Sequence, residues 1–461
     1  VNPRLTLVGS VVGAVIVALD GTVLTVAQPA LRRDLDASFG QVQWTSTGYL
    51  IAVASLLVFA GRLGDRYGHH RVFGIGMLGF GAASAGIALV PDIGWVIGLR
   101  VVQGVFGALL QPATLGMLRA AFPADRLRTP IAVRTAAIGV AAAAGPVLGG
   151  ALVAGPGWRV VFLLNVIPAV VFGALALAVR PPRAVSPARL DIPGPALLAV
   201  CLACLVHALV AQPGWVWTAA IGTVTGAAFV RHERRSTSPL LPPMGAPPAR
   251  ANSRVGDIGS RAVGSALGML VAASAALSGS LFVGTFLLQG PLGLDPFHSA
   301  LVSLPLAALM VIAAPSCAVL LRRAGARRTT TAAMVVLALG ILVLSRASAV
   351  PALCVGFALV GAGFGTVMVA ATHVVVRQAA VGSAGVAGGL QQTAMNVGPV
   401  LGVAAATALM GAGGDPELPL TVLAALALAG AVPGRALPAR PDPTIDDHGQ
   451  SKDRTPVPAR P

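Results

Sequence analysis

Residues 5–29 read LTLVGSVVGAVIVALDGTVLTVAQP, a stretch with a single ionisable side chain, Asp20, near its middle. A helix of about twenty residues crosses the roughly 30 Å hydrocarbon core of a bilayer. Asp20 therefore sits where an acid costs about 2.5–3.5 kcal/mol on insertion scales. No other acid lies well inside an apolar run: Asp65 ends one, and the rest fall in connections or in the tail. An expensive residue used once points to function. The alternative is a carboxylate kept neutral by burial and hydrogen-bonded to a neighbouring helix.

Working outward, the 461 residues are 56% hydrophobic and 10% charged. A soluble domain has roughly 25% charged residues. The chain therefore reads as an all-α polytopic membrane protein, its apolar runs too long and continuous for barrel strands. The first run is expected to span the membrane and not to be a removed signal. A net charge of +16 invites a nucleic-acid reading, but the charges fall in short connections between apolar runs. Cys201-x-x-Cys204 has no second pair or His cluster beside it, so it reads as small-residue packing, and no metal site is expected.

Fourteen apolar runs follow one another, near 5–29, 43–61, 72–91, 93–118, 130–154, 159–179, 192–211, 215–230, 262–289, 298–321, 329–346, 350–372, 383–410 and 418–434. Placing the N-terminus in the cytoplasm and alternating puts all but six of the thirty-two Lys and Arg residues inside. Arg32, Arg33, Arg159 and Arg346 fall outside, while Arg100 and Arg134 lie within helices. The positive-inside rule thus supports fourteen spans with both termini cytoplasmic.

After the second run the chain reads Gly61-Arg-Leu-Gly-Asp65-Arg66-Tyr-Gly68-His-His-Arg71. A carboxylate at a helix end can pair with an Arg of a neighbouring helix, and glycines permit close approach and a tight turn, which suits a gate. The segment resembles the signature loop G-x-x-x-D-R-x-G-R-R/K of the major facilitator superfamily. Gly61, Asp65, Arg66 and Gly68 match. His69 and His70 stand where the family has Arg or Lys, which weakens fixed positive charge and makes the loop pH-sensitive.

Leu19-Asp20-Gly-Thr22-Val-Leu-Thr25-Val-Ala-Gln28-Pro29 resembles the first-helix motif of the fourteen-helix drug:proton antiporters, with Thr25 and Gln28 as departures. Trp44 and Tyr49 match that subfamily's W-x-x-x-x-Y. The fourth run carries Arg100, Gln103, Gly104, Gly107 and Gln111, which share one face at 100° per residue. That face is too polar for lipid and is expected to line a cavity or meet another helix, with Arg100 the natural counter-ion of Asp20. The rival reading of Arg100 is snorkelling to the outer interface. In the fifth run Gly139, Ala143, Pro146 and Gly150 share a face suited to close packing. Gly145-Pro146-Val-Leu-Gly149-Gly150 resembles the antiporter motif, and Trp158-Arg159-Val-Val-Phe162-Leu-Leu-Asn165-Val-Ile-Pro168 the subfamily's next one.

The resemblance implies a major facilitator fold: a six-helix half over 1–180, two extra helices over 181–230, a cytoplasmic linker over 231–261, a second half over 262–435 and a disordered tail over 436–461. Leu321-Arg-Arg323-Ala-Gly325-Ala-Arg327-Arg328 falls where the signature loop recurs in the second half, without its acid. Binding between repeated halves is the expected architecture. Gln28, Trp44, Tyr49, Gln103, Gln111, Gln391, Gln392 and Asn396 are the candidate substrate-contacting residues. Gln392 and Asn396, one turn apart, are equally able to bond a facing helix.

The implied activity is proton-driven export of lipophilic drugs, antibiotics or secondary metabolites by a monomer in a bacterial cell membrane, with Asp20 and Arg100 coupling the proton. No cofactor is expected. No G-x-x-x-x-G-K-[ST] loop is present to use ATP. A proton-independent facilitator or importer of the same fold is the first rival and would not need Asp20. A membrane enzyme or receptor is the second, but no converging nucleophile, base and stabiliser is evident. With one membrane acid beside Arg100, neutral, anionic or monovalent substrates are expected and dications disfavoured.

Overall fold

The computed structural model describes residues 2–123, 126–179, 191–210, 214–235, 261–378, 384–413 and 416–437. The expected tail beyond residue 437, most of the 231–261 linker and the 180–190 connection lie outside them. Among the described residues every regular element is a helix. In chain order they are α1 (Pro3–Asp34), α2 (Phe39–Tyr67), α3 (His69–Leu89), α4 (Ile93–Ala121), α5 (Arg128–Ala154), α6 (Trp158–Leu163) and α7 (Val166–Ala178). Then follow α8 (Pro193–Val210), α9 (Trp215–Arg235), α10 (Arg261–Gln289), α11 (Pro296–Arg346), α12 (Val350–Gln378), α13 (Ala384–Gly413) and α14 (Glu417–Ala429).

Local chemistry sets many of these boundaries. Ser38 and Gln41 form a reciprocal capping box at the start of α2. Asp92 caps α4 through the Gly94 amide at 2.7 Å, and Asp295 caps α11 through those of Phe297 and His298. The same His298 backbone N–H, then its ring, holds the Asp295 carboxyl below the usual carboxylate range. Gly68 turns α2 into α3 at φ 93°, a conformation that favours glycine. Gly325, at φ 74°, breaks α11 into two spans, where the repeat of the signature loop was expected. Conversely α6 and α7 make one span, interrupted because Pro168 has no N–H to offer the carbonyl of Leu164.

Among the described residues, thirteen helical stretches are long and apolar enough to cross a membrane. The remaining long helix, α9, is less apolar because its last turn is Arg231-His232-Glu233-Arg234-Arg235. Thr218, Thr223 and Thr225 return their hydroxyls to backbone carbonyls of their own helix, which suits a segment with little water around it. It packs along α8, where Cys201 and Cys204 face Gly226 and Gly222. The cysteine pair thus serves the packing of this hairpin.

The helices form two six-helix halves, with the α8–α9 pair docked through α8 on both α2 and α13. Packing without a hydrophobic drive depends on close approach. Gly402 and Gly398 of α13 lie against backbone of α10, with no room for a Cβ. Between the halves, α2 meets α13 and α5 meets α11. At one end of the bundle Gln289 donates to the Val26 carbonyl at 3.0 Å, and the Phe39 and Phe286 rings meet edge-on, 5.0 Å apart. At that same end a Cβ on Gly150 would stand 2.6 Å from the Pro296 carbonyl oxygen.

Candidate functional site

Asp20 and Arg100 each expose 1% of their side chain. Arg100 donates to Asp20 Oδ2 at 2.6 Å, which excludes snorkelling for Arg100. The other carboxylate oxygen, Oδ1, accepts from Gln103 at 3.1 Å and from Asn165 at 3.3 Å. Arg100 also donates through Nε to the Thr45 carbonyl at 2.9 Å and bonds Gln103 Oε1. Gln103 in turn donates to Ser84 at 2.7 Å. Residues of α1, α4 and the α6–α7 span thus meet at one carboxylate, and α2 and α3 join them through Arg100 and Gln103. Removing one partner of such a buried pair costs about 3–5 kcal/mol, because a charge is left uncompensated.

The spacing of α4 produces this arrangement. Arg100 and Gln103 lie one turn apart and both reach α1. Gly104, on the same face, lets α2 approach: a Cβ there would stand 2.6 Å from the Tyr49 carbonyl oxygen. Tyr49 is buried, and Arg100 stacks 4.4 Å from the centre of its ring. Beside the buried acid, Gly21 is exposed, with nothing within 4 Å of where a Cβ would stand. Open space thus begins one residue from Asp20.

Other expected residues are distributed differently. Gln103 belongs to the carboxylate network. Gln28 is buried and donates to Ser46 at 2.7 Å, a bond between α1 and α2. Trp44 lies in a groove on another face of α2, away from Asp20. Gln111 is half-buried, as are Gln391 and Gln392 on α13. Gln392 donates to Asn396 at 3.5 Å within its own helix, leaving the buried Asn396 Nδ2 without a partner.

The signature loop corrects one expectation. Asp65 pairs with His69 at 3.2 Å, within the loop itself, and among the described residues no pair with an Arg of a neighbouring helix accompanies it. The His69 ring fills a slot made by Gly64 of α2 and Gly116 of α4; a Cβ at either glycine would collide with it. Gly61 faces Pro112 of α4, while Arg66 and Arg71 are exposed. In α5, Gly145 and Gly149 pack on Thr22 and Val23 of α1, and Gly150 on α11. Pro146 lies within the unbroken α5. Gly139, expected on the packing face, meets open space.

Sequence reasoning did not single out Ser84, Thr45 or Asn165 as site residues. Asn165 did stand inside a quoted motif. Its place beside Asp20 follows from the break between α6 and α7.

A bundle of membrane-spanning helices closed around one neutralised carboxylate defines a polytopic transport protein. The family model "Major Facilitator Superfamily" matches residues 11–345 and 268–460, and the chain belongs to that family. It is 38% identical over 423 residues to the tetracenomycin C resistance and export protein of Streptomyces glaucescens, covering 89% of this chain and 76% of that one. It is 31% identical over 408 residues to the multidrug efflux pump LfrA of Mycolicibacterium smegmatis, covering 84% and 77%. Among solved structures, the nucleoside transporter NupG superposes with a TM-score of 0.64 over 94% of this chain and 99% of that one, at 13% identity. That likeness concerns the fold.

Proposed function

We propose that this protein is a proton-coupled exporter of lipophilic compounds, working by alternating access. The carrying observation is the Asp20–Arg100 pair, 2.6 Å apart and sealed from solvent. A guanidinium and a proton compete for the same carboxylate. When a proton takes it, Arg100 is released from α1 but stays tied to α2 through the Thr45 carbonyl and to Gln103 of its own helix. Protonation thus loosens α1 from α4 and leaves the guanidinium held only by neutral groups, a local charge change of the kind that biases a two-state packing. Relatives named for antibiotic resistance and export support the direction and the substrate class.

On this reading both termini are cytoplasmic in a bacterial cell membrane, and residues 1–180 and 262–435 are the moving halves of a monomer. The Gln289–Val26 and Phe39–Phe286 contacts then close the outer end, so the cavity opens inward. No cofactor takes part; the proton gradient supplies the drive. Asp65, His69 and the surrounding loop act at the cytoplasmic gate, and Gln391, Gln392 and Asn396 offer neutral polar contacts to substrate. The test is efflux from vesicles holding the purified chain, with and without a pH gradient. Uphill efflux only with the gradient is expected; gradient-insensitive transport would establish the facilitator instead.

A further inference from the structure

Arg134 lies within a span and takes no part in the carboxylate network. It is six residues into α5, about 9 Å along the axis from Arg128. Its Nε donates to Thr114 Oγ1 on α4 at 3.1 Å. Thr114 is fully buried, and its hydroxyl donates in turn to the Gln111 carbonyl at 2.8 Å. From α1, Ser10 donates to the Thr114 carbonyl at 2.9 Å. Helices α1, α4 and α5 thus meet at Thr114, and the guanidinium is turned onto α4 inside the bundle. A snorkelling arginine would extend instead along its own helix toward the headgroups.

A guanidinium has five N–H donors, and this contact uses one. The two terminal nitrogens have no protein partner among the described residues, and neither is sealed from open space. Nor does an acid pair with Arg134 among the described residues. Asp20 is taken by Arg100, Asp34 by Arg159, Asp65 by His69 and Asp191 by His232. An arginine does not escape the cost of an unmatched charge by losing its proton. A negative group on a ligand removes that cost, and a carboxylate meets the free fork with two parallel bonds. One turn away on α4, Gln111 is half-buried, and its side-chain amide has no protein partner among the described residues. That amide can donate to the same group. The place is separate from the proton site, since Arg100 and Thr114 are about 21 Å apart along α4.

We infer that Arg134 anchors the acidic group of the transported compound, so that the preferred substrates are lipophilic monoanions bearing a carboxylate or an ionised phenol. The inference rests on the export reading and narrows it to one charge class. On that reading Arg134 stands in the inner half of the inward-opening cavity. A compound arriving from the cytoplasm meets it before reaching the level of Asp20. The anion is then held at one level while Asp20 exchanges its proton at another.

The probes are pyrenebutyrate and pyrenebutyramide, alike in shape and apolar surface and different in charge. Each is titrated onto the full chain in phosphatidylcholine nanodiscs near neutral pH without any gradient, and energy transfer from tryptophan to pyrene reports binding. The natural chain is expected to bind the carboxylate at least about tenfold more tightly than the amide, the scale of one charge-assisted hydrogen bond. Arg134→Gln removes that preference and leaves amide binding within about twofold. Arg134→Met does the same with a side chain cheaper to bury, so a folding failure of one variant leaves the other to decide. Equal affinity for the two probes in the natural chain, or an undiminished preference in a folded variant, overturns the proposal. The titration is repeated with phosphatidylglycerol in the discs. A preference that there falls to the level of the Gln variant means that lipid headgroups hold the guanidinium, and likewise overturns it. Charge-selective binding without gradient-driven efflux of pyrenebutyrate from vesicles would instead fault the export reading and leave the anchor standing.

Discussion

Arg100 stands 2.6 Å from Asp20 and, through a second nitrogen, 2.9 Å from the carbonyl of Thr45. One guanidinium thus ties α4 to both α1 and α2. Arg100→Lys keeps the charge but replaces a planar fork by a single ammonium, which cannot hold both partners in this geometry. The variant is expected to insert and fold yet to lose at least about tenfold in turnover, the usual scale for a misplaced charge at a working site. Vesicle efflux at matched protein density checks this.

The joint between α5 and α11 gives a second expectation. Gly150 lies against backbone of Pro296 and Phe297, where nothing flexible can yield to a side chain. Gly150→Leu should hold α5 and α11 apart and disfavour the closed end. Spin labels at Ala154 and Leu301 are expected to report a longer distance, with transport lost and insertion kept. An unchanged distance with normal transport would show that the contact is not part of the cycle.

Much of this was legible from spacing alone. The positions of Arg100, Gln103 and Gly104 on α4 put them on one face, and the structure has them on α1 and α2. Asp20 was visible as the one ionisable side chain in its run. Thr45 was not, because its contribution is a backbone carbonyl and any residue has one. Ser84 was not, because its role exists only where α3 and α4 meet. Trp44 and Tyr49 were expected together from a shared motif. Five residues at 100° each place them about 140° apart around the helix, and the structure has Tyr49 against Arg100 and Trp44 on another face. The slot for His69 depends on Gly64 and Gly116, fifty-two positions apart in the chain, which helical spacing does not relate.

The signature loop gives a third expectation. Asp65 is exposed, and its partner His69 is lodged between α2 and α4. Asp65→Ala removes the pair at the helix end without touching the carboxylate network. Turnover should fall severalfold, with equilibrium drug affinity little changed, since an exposed pair contributes no more than about 1 kcal/mol to folding. A large loss of affinity at normal turnover would place Asp65 in substrate binding.

Substrate charge gives a fourth. The acids at the end of the bundle where α1 meets α2 are engaged: Asp34 accepts from Trp158 at 2.9 Å and pairs with Arg159, and Asp295 caps α11 while pairing with His298. Asp20 already neutralises Arg100. A dication in the cavity would leave buried charge unmatched. Side-by-side efflux of a monovalent and a divalent cation of similar hydrophobicity should favour the monovalent one clearly. Equal transport of both would mean that Asp34 or Asp295 leaves its partner and enters the cavity.

The central claim is that Asp20 carries the coupled proton, and Asp20→Asn tests it most directly. The amide is nearly isosteric and keeps an oxygen to accept from Arg100, so the variant should fold and insert, though less stably by up to about 3–5 kcal/mol because the guanidinium loses its counter-charge. The measurement is proton-gradient-driven efflux of a lipophilic substrate from vesicles, read together with substrate binding in the absence of a gradient. Binding is predicted to persist while uphill efflux is abolished. Full gradient-driven efflux by the folded Asp20→Asn protein would contradict the account.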